Sequence, residues 1–290
     1  MKKILVTGVS SYIGNSFCKY MEQWLKQYQI DTVSMRDESW HEKSFAEYDC
    51  IFHVAGIAHS DNGKISEEKA KQYYEVNTDL TVNVAKKAKR EGVRQFIFMS
   101  SAIVYGESAP IGERKVITRD TPPSPANSYG DSKLQAEKGI CALGDENFKI
   151  VILRAPMIYG KGSKGNYPIL SKLAQRCPLF PYVRNERSML YIENLCEFVR
   201  LMIENEERGV FWPQNSEYSN TSEMVKRIAQ SHGKRVYLVH GLEWMIKLMG
   251  HCTPLVNKAF GNMVYDQALS TYPGVDRQIS LAESIQRTEI

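Results

Sequence analysis

Three side chains in the middle of the sequence are of the types that move a proton at a carbonyl or alcohol oxygen: Ser101, Tyr129 and Lys133. Tyr129 and Lys133 are four residues apart, so on a helix they share one face. An unperturbed tyrosine, with a pKa of about 10, is a poor base at neutral pH, but a neighbouring ammonium favours its phenolate. Tyr129 could then exchange a proton with a substrate oxygen to which Ser101 donates a hydrogen bond.

The position of these residues carries more weight than their spacing. With 16 tyrosines in the chain, a Tyr–Lys pair four residues apart is expected by chance. Ser101, however, follows an apolar run at 95–100, and Tyr129 opens an amphipathic segment after the proline-rich loop 106–128. The carboxyl edge of a parallel sheet is where α/β proteins bind ligands. The alternative is a surface pair on a helix and a serine that caps a turn.

The elements that must position these residues alternate along the first 155 residues. Short apolar runs alternate with longer amphipathic segments, which predicts a parallel sheet covered by helices. The segment 37–49 is too short for a further helix and strand, which predicts a pared-down sheet. The predicted strands are 3–7, 32–35, 50–55, 95–100 and 150–154, and the predicted helices are 12–28, 66–90 and 129–143.

Beyond residue 156 the regular alternation fades. Helices are predicted near 167–176, 193–205, 222–232, 243–249 and 281–288. We therefore expect a doubly wound α/β (Rossmann) fold, with a dinucleotide-binding domain over 1–156. We also expect a smaller, mainly substrate-binding domain over 157–290, whose segments interleave with the dinucleotide-binding domain.

A glycine-containing turn lies between the first predicted strand and helix. Glycines there let the backbone approach a pyrophosphate, which the free N–H groups and dipole of the helix N-terminus stabilise. The middle glycine of the usual pattern is a serine here, and a plain tight turn is the alternative. The residues expected to touch the cofactor at this turn are Gly8, Ser11, Tyr12, Ile13 and Gly14.

The residue after the second strand indicates which dinucleotide is bound. An acidic residue there would accept hydrogen bonds from the adenosine ribose and favour NAD, but this chain has Arg36. A guanidinium suits a 2′-phosphate, so we expect NADP(H) to be preferred over NAD(H). The alternative is that Arg36 is a solvated surface residue or stacks on adenine.

Composition narrows the function classes. The net charge is +4, with no long basic run, which argues against nucleic acid. The six cysteines show no metal-ligand spacing, which favours reduced thiols and no metal site. No apolar stretch approaches the length of a membrane span. We expect a cytoplasmic protein without stable membrane insertion.

The motifs together resemble the extended short-chain dehydrogenase/reductase family, in its nucleotide-sugar (NAD-dependent epimerase/dehydratase) branch. The resemblance covers nearly the whole chain. It is carried by the glycine turn and by the segments H-V-A-G at 53–56, Y-E-V-N-T at 74–78, S-S-A-I-V-Y-G at 100–106, Y-G-D-S-K at 129–133, L-R-A-P at 153–156 and R-S-M-L-Y-I at 187–192.

The resemblance implies roles for further residues. Ala55, Gly56, Asn77, Lys133 and Pro156 are expected at the cofactor, with Lys133 also holding the nicotinamide ribose. Ser101, Asn166 and Arg187 are expected to bind a nucleotide-sugar substrate, with the Arg187 guanidinium on its diphosphate. The family also implies a homodimer through the helices 66–90 and 129–143. Arg187 could instead be a solvated loop residue.

Departures from the family pattern limit the reaction. Ala102 and Ile103 follow Ser101, where water-eliminating relatives carry an acid/base pair, so dehydration is not expected. Reduction of a 4-keto sugar and 4-epimerisation both remain. Arg36 favours an exchangeable NADPH, and hence reduction of a UDP-4-keto-6-deoxy-N-acetylhexosamine in surface-polysaccharide synthesis. The alternative is a UDP-sugar 4-epimerase with tightly bound NAD.

Three further interpretations are weaker. A non-enzymatic NADP-binding redox sensor of the same fold is disfavoured, because the Tyr129–Lys133 pair is kept. His59, just beyond the cofactor turn, could line the substrate pocket, although a lone histidine is more often structural. The segment 244–249 (W-M-I-K-L-M) suggests membrane association, and core packing or a cap over the substrate is the alternative.

Overall fold

The computed structural model describes residues 1–57, 65–252, 254–274 and 278–290. His59 lies outside the described residues. The chain divides into two compact units. Unit 1 comprises Met1–Gly106, Pro122–Ala155 and Leu195–Pro213, and unit 2 comprises Glu107–Thr121, Pro156–Asn194 and Gln214–Ile290.

The strands are short, and six of them form one sheet in unit 1. In chain order the described residues form β1 (Lys2–Thr7), β2 (Tyr28–Val33), β3 (Cys50–His53), β4 (Gln95–Ser101), β5 (Lys115–Ile117), β6 (Lys149–Ala155), β7 (Met157–Tyr159), β8 (Leu179–Pro181), β9 (Met189–Tyr191), β10 (Gly209–Phe211), β11 (Tyr237–Val239) and β12 (Met263–Tyr265).

The α-helices of unit 1 cover that sheet. The described helices are α1 (Tyr12–Met21), α2 (Ser39–Glu42), α3 (Glu67–Tyr73), α4 (Leu80–Arg90), α5 (Ser128–Cys141), α6 (Tyr167–Arg176), α7 (Ile192–Glu204), α8 (Thr221–Ser231), α9 (Glu243–Cys252), α10 (Pro254–Phe260), α11 (Gln267–Ser270) and α12 (Leu281–Glu289).

The central sheet is parallel throughout, in the order β10-β6-β4-β3-β1-β2. Its middle strands are buried on both faces, as their unbroken apolar runs require. The single turn α2 is all that separates β2 from β3. The doubly wound α/β prediction and the pared-down sheet are both confirmed.

The structure differs from the sequence predictions at three elements. The first helix ends at Met21 and is followed by the 3₁₀ turn Glu22–Trp24, so β2 starts at Tyr28 rather than residue 32. The run from Glu67 to Arg90 is helical as predicted, but a π-helical turn, Tyr74–Asp79, interrupts it. The loop 106–128 contains β5, which pairs with β12 in unit 2.

Short two-stranded parallel pairs and helices make up unit 2. The pairs are β5–β12, β7–β9 and β8–β11. The five helices predicted beyond residue 156 are all present within a few residues of their predicted ends. Within the described ranges, no helix is both long enough and apolar enough to span a bilayer.

Candidate active site

The predicted cofactor turn joins β1 to α1 in unit 1. Gly8 has φ +84°, and a Cβ there would lie 3.0 Å from the Ala55 Cα. Ser11 caps α1 by accepting a hydrogen bond from the Gly14 N–H at 3.4 Å. Tyr12 and Ile13 form the first turn of that helix. The turn therefore fits a pyrophosphate, because a helix N-terminus, which stabilises anions, follows a backbone turn that carries no side chain at Gly8.

A second close approach lies at the turn after β3. A Cβ on Gly56 would lie 2.9 Å from the Asn77 Oδ1 and 3.3 Å from the Lys133 Nζ. The Asn77 side chain is buried in the π-helical turn, accepts from the Ile57 N–H and donates to the Ser132 Oγ. Asn77 thus fastens the Ala55–Gly56 turn to α5. Its described contacts are those of a supporting residue, and direct contact with a cofactor stays a prediction.

Arg36 lies three residues beyond the end of β2 and not at its last residue. Its side chain is exposed, and its backbone N–H donates to the Ser34 Oγ at 3.2 Å. The displacement follows from the earlier start of β2. Arg36 is free to meet a phosphate from solvent, but its choice between NADP and NAD stays a prediction.

Ser101 and Tyr129 are brought together at the carboxyl edge of β4. The Ser101 Oγ accepts from the Ile103 N–H at 3.3 Å, which caps the 3₁₀ turn Ala102–Tyr105. Burial raises the pKa of Tyr129, and a hydrogen bond from the same hydroxyl lowers it in part. The Ser101 hydroxyl therefore does both: it caps the turn and it faces Tyr129.

Gly130 explains how α5 comes so close to Ser101. A Cβ at Gly130 would lie 2.9 Å from the Ile103 carbonyl oxygen. Asn127 caps the helix by accepting from the Gly130 N–H at 2.9 Å. The cap and the missing side chain place Tyr129 in the first turn of α5, against the turn that Ser101 begins.

Burial and, to a smaller extent, the buried Tyr73, whose ring centroid lies 5.5 Å away, raise the pKa of Tyr129 to about 12. The Lys133 ammonium is not among the groups that lower it. We expected Lys133 and an oxidised nicotinamide together to favour the phenolate. The protein alone does not do so, because the Lys133 Nζ is directed elsewhere.

The Lys133 side chain is buried in unit 1. Its Nζ donates to the Met99 carbonyl oxygen at 3.0 Å and lies 4.7 Å from the centre of the Phe98 ring. Burial lowers the pKa of Lys133 to about 8, although Glu137 raises it in part. The Nζ faces the Gly56 turn, which is the side where a cofactor held by Gly8 and Gly56 would lie.

A buried ion pair behind Lys133 was missed in the sequence. Glu137 is one helical turn after Lys133 and accepts hydrogen bonds from Ser100 and from Arg154, the latter at 2.7 Å through Nη2. The Arg154 Nη1 donates to the Tyr105 hydroxyl at 2.7 Å. These bonds tie α5 to β4 and β6. The signal was present, because Glu137 follows Lys133 by four residues and Arg154 lies in the L-R-A-P motif.

In unit 2, Arg187 is the predicted substrate residue with the most distinctive surroundings. It is partly buried and paired through its backbone with Ser219, and its Nη1 donates to the Lys258 and Ala259 carbonyl oxygens. Burial lowers its pKa. No carboxylate within the described ranges forms an ion pair with it. Its guanidinium thus supports the end of α10.

The other two predicted residues of unit 2 have fewer contacts. Asn166 is exposed at the start of α6, and its side chain does not cap the helix. Pro156 is buried between β6 and β7. In the same loop as Asn166, the Lys161 Nζ donates to the Ile290 carbonyl oxygen at 2.8 Å. The described residues hold no cluster of metal-ligating side chains.

The sequence was compared with family models and with known proteins. A model described as the NAD dependent epimerase/dehydratase family matches residues 4–211. The chain is 29% identical to a UDP-glucose 4-epimerase of Vibrio cholerae, over 91% of this chain and 87% of that protein. It is 25% identical to an N-acetyl-alpha-D-glucosaminyl-diphospho-ditrans,octacis-undecaprenol 4-epimerase of Escherichia coli O157:H7, over 89% and 81%.

Solved structures share the fold over nearly the whole chain. RMD from Pseudomonas aeruginosa, complexed with NADPH, has a TM-score of 0.75 at 18% identity, covering 99% of this chain and 98% of that one. The UDP-glucose 4-epimerase of Thermus thermophilus, complexed with NAD, has a TM-score of 0.74 at 20% identity, covering 99% and 97%. At this identity the likeness concerns the fold alone.

Proposed function

The chain belongs to the NAD-dependent epimerase/dehydratase family, enzymes of the short-chain dehydrogenase/reductase type, and from this we propose that it is a 4-epimerase of a UDP-linked sugar. The nicotinamide cofactor belongs to unit 1 in this proposal, and the sugar diphosphate to unit 2. Ser101, Tyr129 and Lys133 carry the chemistry.

The residues around Tyr129 give this proposal its strongest support. Its hydroxyl faces Ser101, and the two residues that follow Ser101 are Ala102 and Ile103, neither of which titrates. Such a site can move a proton at one alcohol or ketone oxygen but has no second acid or base there to remove water. Two relatives that cover most of the chain are 4-epimerases by name, which favours inversion at C4.

A nicotinamide cofactor held at the Gly8 and Gly56 turns would supply reversible hydride transfer at C4 of the sugar. Tyr129 takes the C4 hydroxyl proton as the ketone forms and gives it back as the ketone is reduced on its other face. Ser101 donates a hydrogen bond to the same oxygen. Hydride and proton both return to the sugar, so the reaction has no net oxidation.

The diphosphate of the substrate is assigned to Arg187. A buried guanidinium without a carboxylate is costly, and a diphosphate supplies two or more acceptors in the geometry that its planar fork prefers. Asn166 is a second candidate, because its side-chain amide is not used to cap α6.

Arg36 supports a second candidate function, reduction of a UDP-4-keto-6-deoxy-N-acetylhexosamine by NADPH. Its guanidinium is exposed near the end of β2, where a 2′-phosphate would lie in this fold. A reductase would release its oxidised cofactor after each turnover, whereas an epimerase keeps it.

The test uses UDP-glucose and UDP-N-acetylglucosamine deuterated at C4, incubated with the purified protein without added cofactor. We expect the 4-epimer to form with the deuterium retained at C4, and NAD to be released when the protein is denatured. Absence of any epimer, together with stoichiometric oxidation of NADPH by the 4-keto sugar, would support the reductase and overturn the epimerase.

Two tyrosine variants assign the proton transfer. Tyr129→Phe should lower kcat at least about 10²-fold, the usual contribution of a general acid–base group, and should leave bound NAD in place. Tyr74→Phe is the matched control, because the Tyr74 hydroxyl donates to Asp131 in the same region but away from Ser101. Full activity in Tyr129→Phe would mean that another residue moves the proton.

A further inference from the structure

Helix α9 in unit 2 exposes an apolar face that its packing does not explain. Trp244 is 69% exposed and Leu248 is 62% exposed, and Met245 and Met249 beside them are exposed as well. These four residues are spaced one and four apart, so they cover one side of the helix. Ile246 points to the opposite side and is buried. One face of α9 therefore packs against the protein, and the other is exposed to solvent.

Two further apolar sites of unit 2 are equally exposed. Leu179 in β8 and Tyr237 in β11 are direct partners across the strand pair, and each is 61% exposed. Ile169 and Leu173 lie one turn apart on α6 and are also exposed. Single exposed apolar residues are common on proteins, whereas clusters of exposed apolar residues mark surfaces that meet something apolar.

Two stretches that carry these exposed residues are basic and lack acids, whereas α9 itself carries one acid, Glu243, and one base, Lys247. Residues 157–185, which contain Ile169, Leu173 and Leu179, carry five basic residues and no acidic one. Residues 224–242, which contain Tyr237, carry four basic residues and no acidic one. Lys172, Arg176 and Arg235 are exposed next to these apolar residues. The surface therefore combines apolar side chains with positive charge.

We propose that the exposed residues of α6, α9 and the β8–β11 pair form one basic apolar surface, which docks on an anionic lipid bilayer. Trp, Leu and Met side chains enter the boundary between head groups and acyl chains, while Lys and Arg stay at the phosphates. A protein partner would be complementary in shape and need no excess of one charge, so the charge pattern favours a lipid surface. The proposal is independent of the reaction proposed above.

The first experiment measures co-sedimentation of the full chain with vesicles. We expect binding to vesicles of phosphatidylglycerol mixed with phosphatidylcholine, weak binding to phosphatidylcholine alone, and weaker binding at high salt. Trp244→Ala combined with Leu248→Ala should lower the partition coefficient at least about tenfold, since each side chain contributes that much when buried. Leu25→Ala, which removes a 65% exposed leucine of unit 1, is the matched control.

Charge reversal tests the electrostatic part separately. Lys172→Glu combined with Arg235→Glu leaves every apolar side chain in place and should weaken binding to anionic vesicles only. Equal binding of all variants, or equal binding to both kinds of vesicle, would overturn the proposal. Loss of self-association in the α9 variant, without any vesicle binding by the unaltered protein, would also overturn it in favour of a second copy of the chain.

Tryptophan fluorescence locates the contact. Trp40 and Trp212 are buried and Trp24 is partly buried, so Trp244 is the one tryptophan that can enter a bilayer. We expect a blue shift of the emission on adding anionic vesicles and no shift in Trp244→Phe. A shift that persists in Trp244→Phe would contradict insertion of α9.

Discussion

Lys133 is a buried cation with two neutral partners, the Met99 carbonyl and the Phe98 ring, and one acid, Glu137, that acts on it through space. Burial disfavours the ammonium, so the charge needed near a sugar and a cofactor is held at a cost in folding free energy. The same burial fixes the Nζ against the Gly56 turn. Burial of Lys133 therefore lowers the stability of the folded protein and also fixes the position of the Nζ.

Lys133→Met is expected to stabilise the protein without cofactor and to abolish turnover. In the folded state the pKa of Lys133 is about 8, against 10.5 for an unperturbed lysine. Below pH 8 both states carry the proton, and the buried ammonium destabilises the folded state. Between pH 8 and pH 10.5 only the unfolded chain holds the proton, so this destabilisation decreases as the pH rises. The unfolding free energy of the unaltered protein should rise over this window by up to about 3 kcal/mol.

The measurement is urea unfolding at several pH values between those two limits. The Lys133→Met variant should lack this rise and should be more stable at pH 7 by about 1–3 kcal/mol. Lys138→Met, on the exposed side of the same helix, is the control and should keep the rise. An identical pH dependence in Lys133→Met and the unaltered protein would show that Lys133 does not titrate in this range.

At the residue scale, the sequence predicted the proximity of two candidate catalytic side chains better than the contacts that hold their elements together. Ser101 and Tyr129 meet as expected, because their position at a strand end and a helix start is a local property. Glu137 and Arg154 were missed, because their pairing joins a helix to a strand 17 residues away. The pKa expectation for Tyr129 depended on the direction of one flexible ammonium, which no sequence pattern shows.

At the element scale, the β1–α1 turn depends on Gly8 for two reasons that can be separated. Gly8 has φ +84°, and a Cβ there would lie 3.0 Å from the Ala55 Cα. Gly92 has φ +83° with nothing near its absent Cβ. The two glycines share a backbone conformation but differ in the close approach of a neighbouring chain segment.

Gly8→Ala should therefore destabilise the protein more than Gly92→Ala. The left-handed conformation alone costs about 1 kcal/mol in each variant, and the contact with Ala55 should at least double that in Gly8→Ala. Urea unfolding of both variants measures the difference. Only Gly8→Ala should also lose bound cofactor, and equal losses of stability would mean that the β3 turn moves away freely.

Local patterns predicted the helices of unit 2 well, because each has an apolar stripe of regular period. They failed at β2, whose alternation includes the polar residues Gln29 and Asp31 on the outer strand of the sheet. They failed again at β5, which pairs with a strand almost 150 residues later in the chain. Outer strands and distant pairings leave little trace in a short window of sequence.

At the scale of the whole molecule, His53 couples the stability of the central sheet to pH. It is fully buried at the end of β3, between the hydroxyls of Thr7 and Thr81, at 2.9 and 3.1 Å, and against the ring of Phe96. Burial, with a smaller contribution from the nearby Lys133, lowers its pKa from 6.5 to about 3. The folded protein therefore keeps His53 neutral under mildly acidic conditions.

This predicts a specific loss of stability in acid. Above pH 6.5 the histidine is neutral in both states and has no effect on the pH dependence. Below it the unfolded chain binds a proton that the folded chain refuses, so the unfolding free energy falls by up to about 1.4 kcal/mol per pH unit, or about 2 kcal/mol at pH 5. In His53→Gln, urea unfolding at pH 7 and pH 5 should show a difference smaller by that amount. His41→Gln, at an exposed position, should keep the full difference, and a full difference in His53→Gln would assign the acid sensitivity to other groups.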